Sequence, residues 1–258
     1  MQTFILSLIQ SITEFLPVSS SGHLIAFPLF FGWKEQGIAF DIALHLGTLL
    51  AVCMYFFHDL WKMLKSLFQG GKERKLIGLL IIATLPIALC GLLLGGYVHY
   101  LRQPYMICVM LIIFGVFLWL SDKFSKSSKT MEMMSLKDAF LIGLAQCLSL
   151  IPGTSRSGVT MTCARFCQIK RVDAARFSML LSIPVIAAAG GWLIWKLIAS
   201  GRLYLLDGLF FQGVFYSFLG GLFVIRFLMD FVKKHSFFAF MIYRIILGCF
   251  VFIYLWFR

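Results

Sequence analysis

Charge is what this sequence has least of: 11 Asp and Glu and 23 Lys and Arg in 258 residues leave 13% charged against 60% apolar. A small soluble domain carries a mixed surface of roughly 25–35% charged residues, so a soluble fold is excluded. Runs of roughly 18 or more nearly uncharged residues recur along the chain, which predicts an all-α polytopic membrane protein. Long polar stretches are also missing. The longest, around residues 58 to 75 and 122 to 137, are too short for a separate core, so residues 1–258 read as a single integral membrane domain. No C-x-x-C pair or metal-ligand spacing occurs among the seven cysteines (53, 90, 108, 147, 163, 167 and 249), which are expected to be small core residues rather than disulfides. No basic segment precedes the apolar Phe4 to Ile9, and Glu14 interrupts the sequence beyond it, so a cleaved signal peptide is not expected. A net charge of +12 raises nucleic acid as a partner, but in a membrane protein a basic surplus belongs to cytoplasmic loops, and nucleic acid is set aside.

Against that background two stretches stand out, Gln10 to His23 and Gln146 to Thr160. Each sets hydroxyl or charged residues and a proline inside apolar sequence, which is costly in a membrane unless those residues form a site. Residues 3 to 30 break at Pro17, and 136 to 168 break at Pro152, Gly153 and Thr154. Neither arm of such a segment crosses a bilayer of about 30 Å, so each predicts a re-entrant hairpin. Full spans are expected at about 38 to 57, 76 to 97, 104 to 121, 176 to 198, 209 to 231 and 238 to 257. A shift of 136 residues superposes Phe4 on Phe140, Leu8 on Leu144, Gln10 on Gln146, Ser19 on Ser155, Ser21 on Ser157 and Gly22 on Gly158 without a gap. The polar matches at the breaks argue for duplication, with repeat 1 at about 1–121 and repeat 2 at about 136–258.

Basic residues set the orientation. They crowd into 58 to 75, 122 to 137, 165 to 176 and 226 to 236, while the other side has Lys34, Arg102, Arg202 and Arg258. The positive-inside rule then places both termini outside. Three spans per half is an odd number, so the halves insert with opposite polarity and the two breaks meet within the membrane as an inverted repeat.

Each break leads into a half-helix whose N-terminal amides and positive dipole end face the interior, and two such ends converging make an anion site suited to phosphate. Ser19 and Ser155 are expected N-caps. With Ser21, Ser157, Gln10 and its counterpart Gln146 they make up the candidate substrate-binding set, to which Thr160 adds a hydroxyl one turn beyond Arg156. Gln10 and Glu14, at i and i+4, share one helix face. Ser20 and His23, at i and i+3, can approach each other, as nucleophile and base or as two groups on one phosphate. Arg156 suits bidentate binding of phosphate oxygens. At matched positions Ser20 faces Arg156, His23 faces Val159 and Glu14 faces Leu150, so one half offers base and nucleophile candidates and the other a cation. Asp41 and His45, also i and i+4, are expected to pair with each other rather than line an entrance, and Arg244 to snorkel or pair with a neighbour.

TEFLPVSSSGH at 13 to 23 and PGTSRSGVT at 152 to 160 resemble the two signature motifs of bacterial undecaprenyl-diphosphate phosphatases, the bacitracin-resistance (BacA/UppP) family. The similarity extends to FDIALHLGTLLAV at 40 to 52 and to the YRIILG that begins at Tyr243. The family's first motif is Glu or Gln, three residues, then Glu. Gln10 with Glu14 fits that form but departs from members with two glutamates. The resemblance implies hydrolysis of a polyprenyl diphosphate to the monophosphate and inorganic phosphate in the bacterial inner membrane. Recycling of a cell-wall lipid carrier and bacitracin resistance are its further implications. It implies Ser20 as nucleophile or phosphate ligand, His23 in proton transfer or phosphate stabilisation, Arg156 as phosphate clamp, and Glu14 as protein ligand of a divalent cation, Mg²⁺ or Ca²⁺. Direct attack by an activated water is the other route. A lipid flippase using the same anion site is the rival reading. Partners are then the lipid substrate and membrane lipids. A homodimer is left open, since no span shows a decisive small-residue interface motif.

Overall fold

The computed structural model describes residues 1–33, 37–101 and 103–257, so the sequence positions Lys34, Arg102 and Arg258 lie outside the described residues. Regular structure there is helical, apart from an isolated bridge between Lys129 and Ile169. The helices are α1 (Gln2–Phe15), α2 (Ser20–Phe31), α3 (Ile38–Tyr55), α4 (Phe57–Gln69), α5 (Glu73–Leu94), α6 (Pro104–Phe124), α7 (Leu136–Cys147), α8 (Arg156–Phe166), α9 (Arg171–Ala199), α10 (Gly208–Lys234) and α11 (Phe238–Trp256). Five of them, α5, α6, α9, α10 and α11, are long and apolar enough to cross a membrane, and α3 with α4 forms a sixth candidate bent by 74°. That bend revises one expectation. Much of 58 to 75, read as a polar connection, is the helix α4 turned away from α3.

The two interrupted segments break for the same local reasons. Proline disfavours helical backbone in the residue before it, and Leu16 is extended at φ −65°, ψ 142° ahead of Pro17, as Ile151 is at φ −83°, ψ 118° ahead of Pro152. Ser19 and Ser155 then adopt the left-handed region, at φ 76° and 75°, where side-chain-bearing residues are uncommon. Each serine caps the helix that comes after it, its Oγ accepting from the amide of Gly22 (3.4 Å) or Gly158 (3.1 Å). The cap bonds offset that backbone cost and satisfy helix-start donors that have no partner within the helix.

The broken helices are wedged among the long ones: α1 packs on α10, α7 on α5, α8 on α6 and α9, and α3 on α10. Gly143 on α7 permits one of these approaches, since a Cβ there would lie 2.6 Å from the Ala83 carbonyl. Glycine at a crossing brings backbones close enough for dispersion contacts to hold helices together without a hydrophobic drive. At the far end of α8, Arg165 is 2% exposed and donates to Asp122 Oδ1 (2.9 Å), which also accepts from Arg171 (2.9 Å), while Asp122 Oδ2 accepts from the Phe237 amide (3.0 Å). One aspartate at the end of α6 thus ties α8, α9 and the start of α11. Arg165 and Arg171, counted as loop charges in the sequence, are engaged in this knot.

Candidate active site

Glu14 is the hub. It is the last but one residue of α1, 7% exposed, and its two oxygens are shared among three elements. Oε1 accepts from Arg156 (3.1 Å) at the start of α8, while Oε2 accepts from Ser20 Oγ (2.9 Å) at the start of α2 and from Gln10 Nε2 (3.2 Å) one turn earlier on α1. Arg156 also donates to the Ser178 carbonyl on α9 (2.9 Å). Thr160 Oγ1 bonds the Ser178 hydroxyl (2.7 Å) and the Arg156 carbonyl (2.9 Å), so it braces the arginine from behind. The guanidinium of the second half therefore sits on the carboxylate of the first.

Two residues outside the candidate set join the site. His45 Nδ1 lies 3.0 Å from Gln10 Nε2 and 3.8 Å from Glu14 Oε2, while Asp41 lies exposed one turn before it. Tyr243 on α11 reaches His23, its hydroxyl 2.7 Å from Nε2 with the two ring planes within 3° of parallel. The expected approach of Ser20 to His23 is not what forms. Helical side chains lean back over the preceding turn, and His23 Nδ1 accordingly lies 2.7 Å from the Ser19 carbonyl. A carbonyl only accepts, so Nδ1 carries the proton and Nε2 of the neutral ring accepts from Tyr243. Ser20, meanwhile, turns to Glu14.

Arg244 does not snorkel, and among the described residues it forms no ion pair. It is 0% exposed and donates to five backbone carbonyls: Leu111 (2.9 Å) and Met110 (3.2 Å) on α6, Pro17 (3.1 Å) in the first break, and Gly153 and Thr154 (3.0 Å each) in the second. A planar guanidinium with donors fixed in a fork suits such carbonyl-rich surroundings. The serines complete the lacing. Ser21 Oγ accepts from the Gly153 amide (3.3 Å), Ser157 Oγ donates to the Leu16 carbonyl (3.1 Å), and Ser19–Ser21 and Ser155–Ser157 hydroxyls meet at 3.2 Å. Gln146 does not parallel Gln10 at the carboxylate; it donates to the Ala83 carbonyl on α5 (3.4 Å).

Gln10 is fully buried, and among the described residues its Oε1 has no hydrogen-bond partner. An orphaned oxygen on the residue that bonds Glu14 through its Nε2 adds a second hard donor to the carboxylate, which fits a cation such as Mg²⁺ that takes one or two protein oxygens alongside substrate phosphates. Among the described residues no three His, Cys, Asp or Glu converge on a metal position. Two half-helix starts, α2 and α8, flank this junction, and their free amides favour an anion there. The arrangement suits binding a phosphate group between Arg156 and a hydroxyl already hydrogen-bonded to a carboxylate.

Comparison with known proteins adds an independent line. The model of the family described as "Bacitracin resistance protein BacA" matches residues 3–250. An undecaprenyl-diphosphatase of Saccharophagus degradans is 42% identical over 258 residues, covering 98% of this chain and 97% of the relative. One from Teredinibacter turnerae is 43% identical, covering 96% of this chain and 97% of the relative, and one from Aliivibrio salmonicida is 41% identical, covering 96% and 95%.

Proposed function

The chain belongs to the bacitracin resistance protein BacA family, and on that premise we propose how its site works, with Ser20, Glu14 and Arg156 as the reacting constellation. The protein is a membrane phosphatase that dephosphorylates undecaprenyl diphosphate to undecaprenyl phosphate and inorganic phosphate. The name shared by its relatives favours hydrolysis over lipid transport.

The observation that carries the mechanism is the Ser20 Oγ to Glu14 Oε2 hydrogen bond of 2.9 Å. The diphosphate competes with Glu14 for Arg156. Once the guanidinium turns to the phosphate oxygens, Glu14 is left facing the Ser20 hydroxyl. Ser20 Oγ attacks the terminal phosphorus as its proton passes to Glu14, and the bond from that phosphorus to the bridging oxygen breaks, releasing undecaprenyl phosphate. Water then cleaves the phosphoserine to inorganic phosphate. Phosphoryl transfer relies mainly on positioning and charge stabilisation, which Arg156 and the α2 and α8 amides provide. His23, with Nδ1 on the Ser19 carbonyl and Nε2 on the Tyr243 hydroxyl, positions the start of α2 that carries Ser20. A divalent cation such as Mg²⁺ or Ca²⁺ would be held by Glu14 and Gln10 Oε1 and would supply further charge neutralisation.

The fold behind this chemistry is an inverted repeat, 1–121 and 136–258, each half one re-entrant hairpin followed by three spans. The hairpin helices have 14, 12, 12 and 11 residues, or roughly 16 to 21 Å at ~1.5 Å per residue, too short to cross. Matching Ser19 and Ser155 geometry supports the repeat. The basic loops face the cytoplasm, both termini lie outside, and the protein resides in the bacterial inner membrane.

The test is phosphate release by the purified protein from a C55 or C15 prenyl diphosphate, with and without chelator, beside Ser20→Ala and Arg156→Ala. The expected result is release that both variants lose. Substantial turnover in folded Ser20→Ala would replace serine attack with direct attack by water.

A further inference from the structure

We propose that α4 is an anchor for anionic phospholipid headgroups, lying in the plane of the membrane surface. At about 3.6 residues per turn its sequence divides into three parallel stripes. Asp59, Met63 and Ser66 face the protein: Met63 and Ser66 are buried, and Asp59 binds Arg176 of α9 at 2.7 Å. Phe57, Trp61, Leu64 and Phe68 form an apolar stripe that is 57%, 49%, 47% and 82% exposed. His58, Lys62, Lys65 and Gln69 form the adjoining stripe, all exposed.

The helix is held in this attitude by the protein itself. Its axis turns 74° from α3, so if α3 crosses the bilayer, α4 runs nearly parallel to the surface. Asp59–Arg176 fixes the start, and Arg74 caps the far end through the Ser66 (2.7 Å) and Leu67 (2.9 Å) carbonyls. With one stripe committed to the protein, the apolar stripe enters the acyl boundary and the lysine stripe lies at headgroup level, as in an interfacial amphipathic helix. Lys65 sits 5.4 Å over the Trp61 ring, pairing a basic residue with an interfacial aromatic. Lys72, in the turn to α5, is exposed and extends the basic edge. Among the described residues neither Lys62 nor Lys65 has an acidic partner, and the one carboxylate on α4 is taken by Arg176. Charge complementarity therefore selects anionic over zwitterionic headgroups.

The experiment is native mass spectrometry of the full-length protein released from nanodiscs of phosphatidylcholine with increasing phosphatidylglycerol. Both faces of a nanodisc carry the same lipids, so the outcome does not depend on the orientation proposed above, and phosphate release in pure phosphatidylcholine separately monitors the site. The expected result is preferential retention of phosphatidylglycerol. Lys62→Gln/Lys65→Gln should weaken it by about fivefold per lysine, as ~1 kcal/mol for each basic residue at an anionic surface implies. Lys62→Arg/Lys65→Arg should keep the preference. Equal retention of the two lipids by the wild type, or an undiminished preference in the Gln variant, would overturn the proposal.

Discussion

The two breaks have nearly the same backbone and almost none of the same chemistry. Ser19 and Ser155 share a φ within one degree, and each caps the glycine three residues on. Ser21 and Ser157 each reach across to the backbone of the opposite break. At these four matched serines the side chains are engaged in the scaffold. Where the repeats differ, at Glu14 against Leu150 and Ser20 against Arg156, the side chains meet at one ionic junction. The shared serines hold the two breaks together, and the residues that differ make one asymmetric centre.

The largest expected effect breaks the asymmetry directly. Arg156→Ala and Glu14→Gln should each lower kcat/KM by about a thousandfold, the scale of a lost electrostatic stabiliser. The double variant should be far less damaged than the product of the two, because they act as one unit. Independent, multiplying losses in phosphate-release assays would separate the two residues. Next comes the clamp common to both breaks. Arg244→Lys keeps the charge but cannot reach five carbonyls, and a thermal melt in detergent should show a loss of about 3 kcal/mol, several buried acceptors being left without donors. A melt within a degree of wild type would remove Arg244 from that role. Tyr243→Phe deprives His23 Nε2 of its donor while keeping the ring, so turnover should fall about tenfold with the fold intact, in line with one hydrogen bond of ~1.4 kcal/mol. Unchanged kcat would make that contact incidental. The smallest effect tests the shared scaffold: Ser21→Ala and Ser157→Ala should destabilise alike, by about 1 kcal/mol each, with turnover little altered. A selective loss of kcat in Ser21→Ala would return that hydroxyl to the substrate.

Much of this was legible in the sequence because a polar residue in apolar sequence is costly, and the cost points to where a partner must be. Glu14, Ser20, His23 and Arg156 declare themselves in that way. The contributions of His45 and Tyr243 were not readable, since each depends on which distant helix lies opposite. Arg244 was harder still, because its partners are main-chain carbonyls, which every residue carries and no side-chain pattern reveals. The i, i+3 spacing of Ser20 and His23 suggested a pair, but helix direction sends the histidine back to Ser19. α4 was hidden for another reason: its lysines resemble a loop until the exposed apolar stripe between them is counted.

The clamp also sets a timetable. Arg244 lies on α11, which follows both breaks in the chain, yet it supplies the donors for Pro17, Gly153 and Thr154. While the polypeptide is being made, those carbonyls wait without this partner. Neither break is finished until α11 has packed against α6 and brought Arg244 to both. An N-terminal half carrying Glu14, Ser20 and His23 is therefore expected to be inert on the ribosome, and the competent centre assembles in one late step.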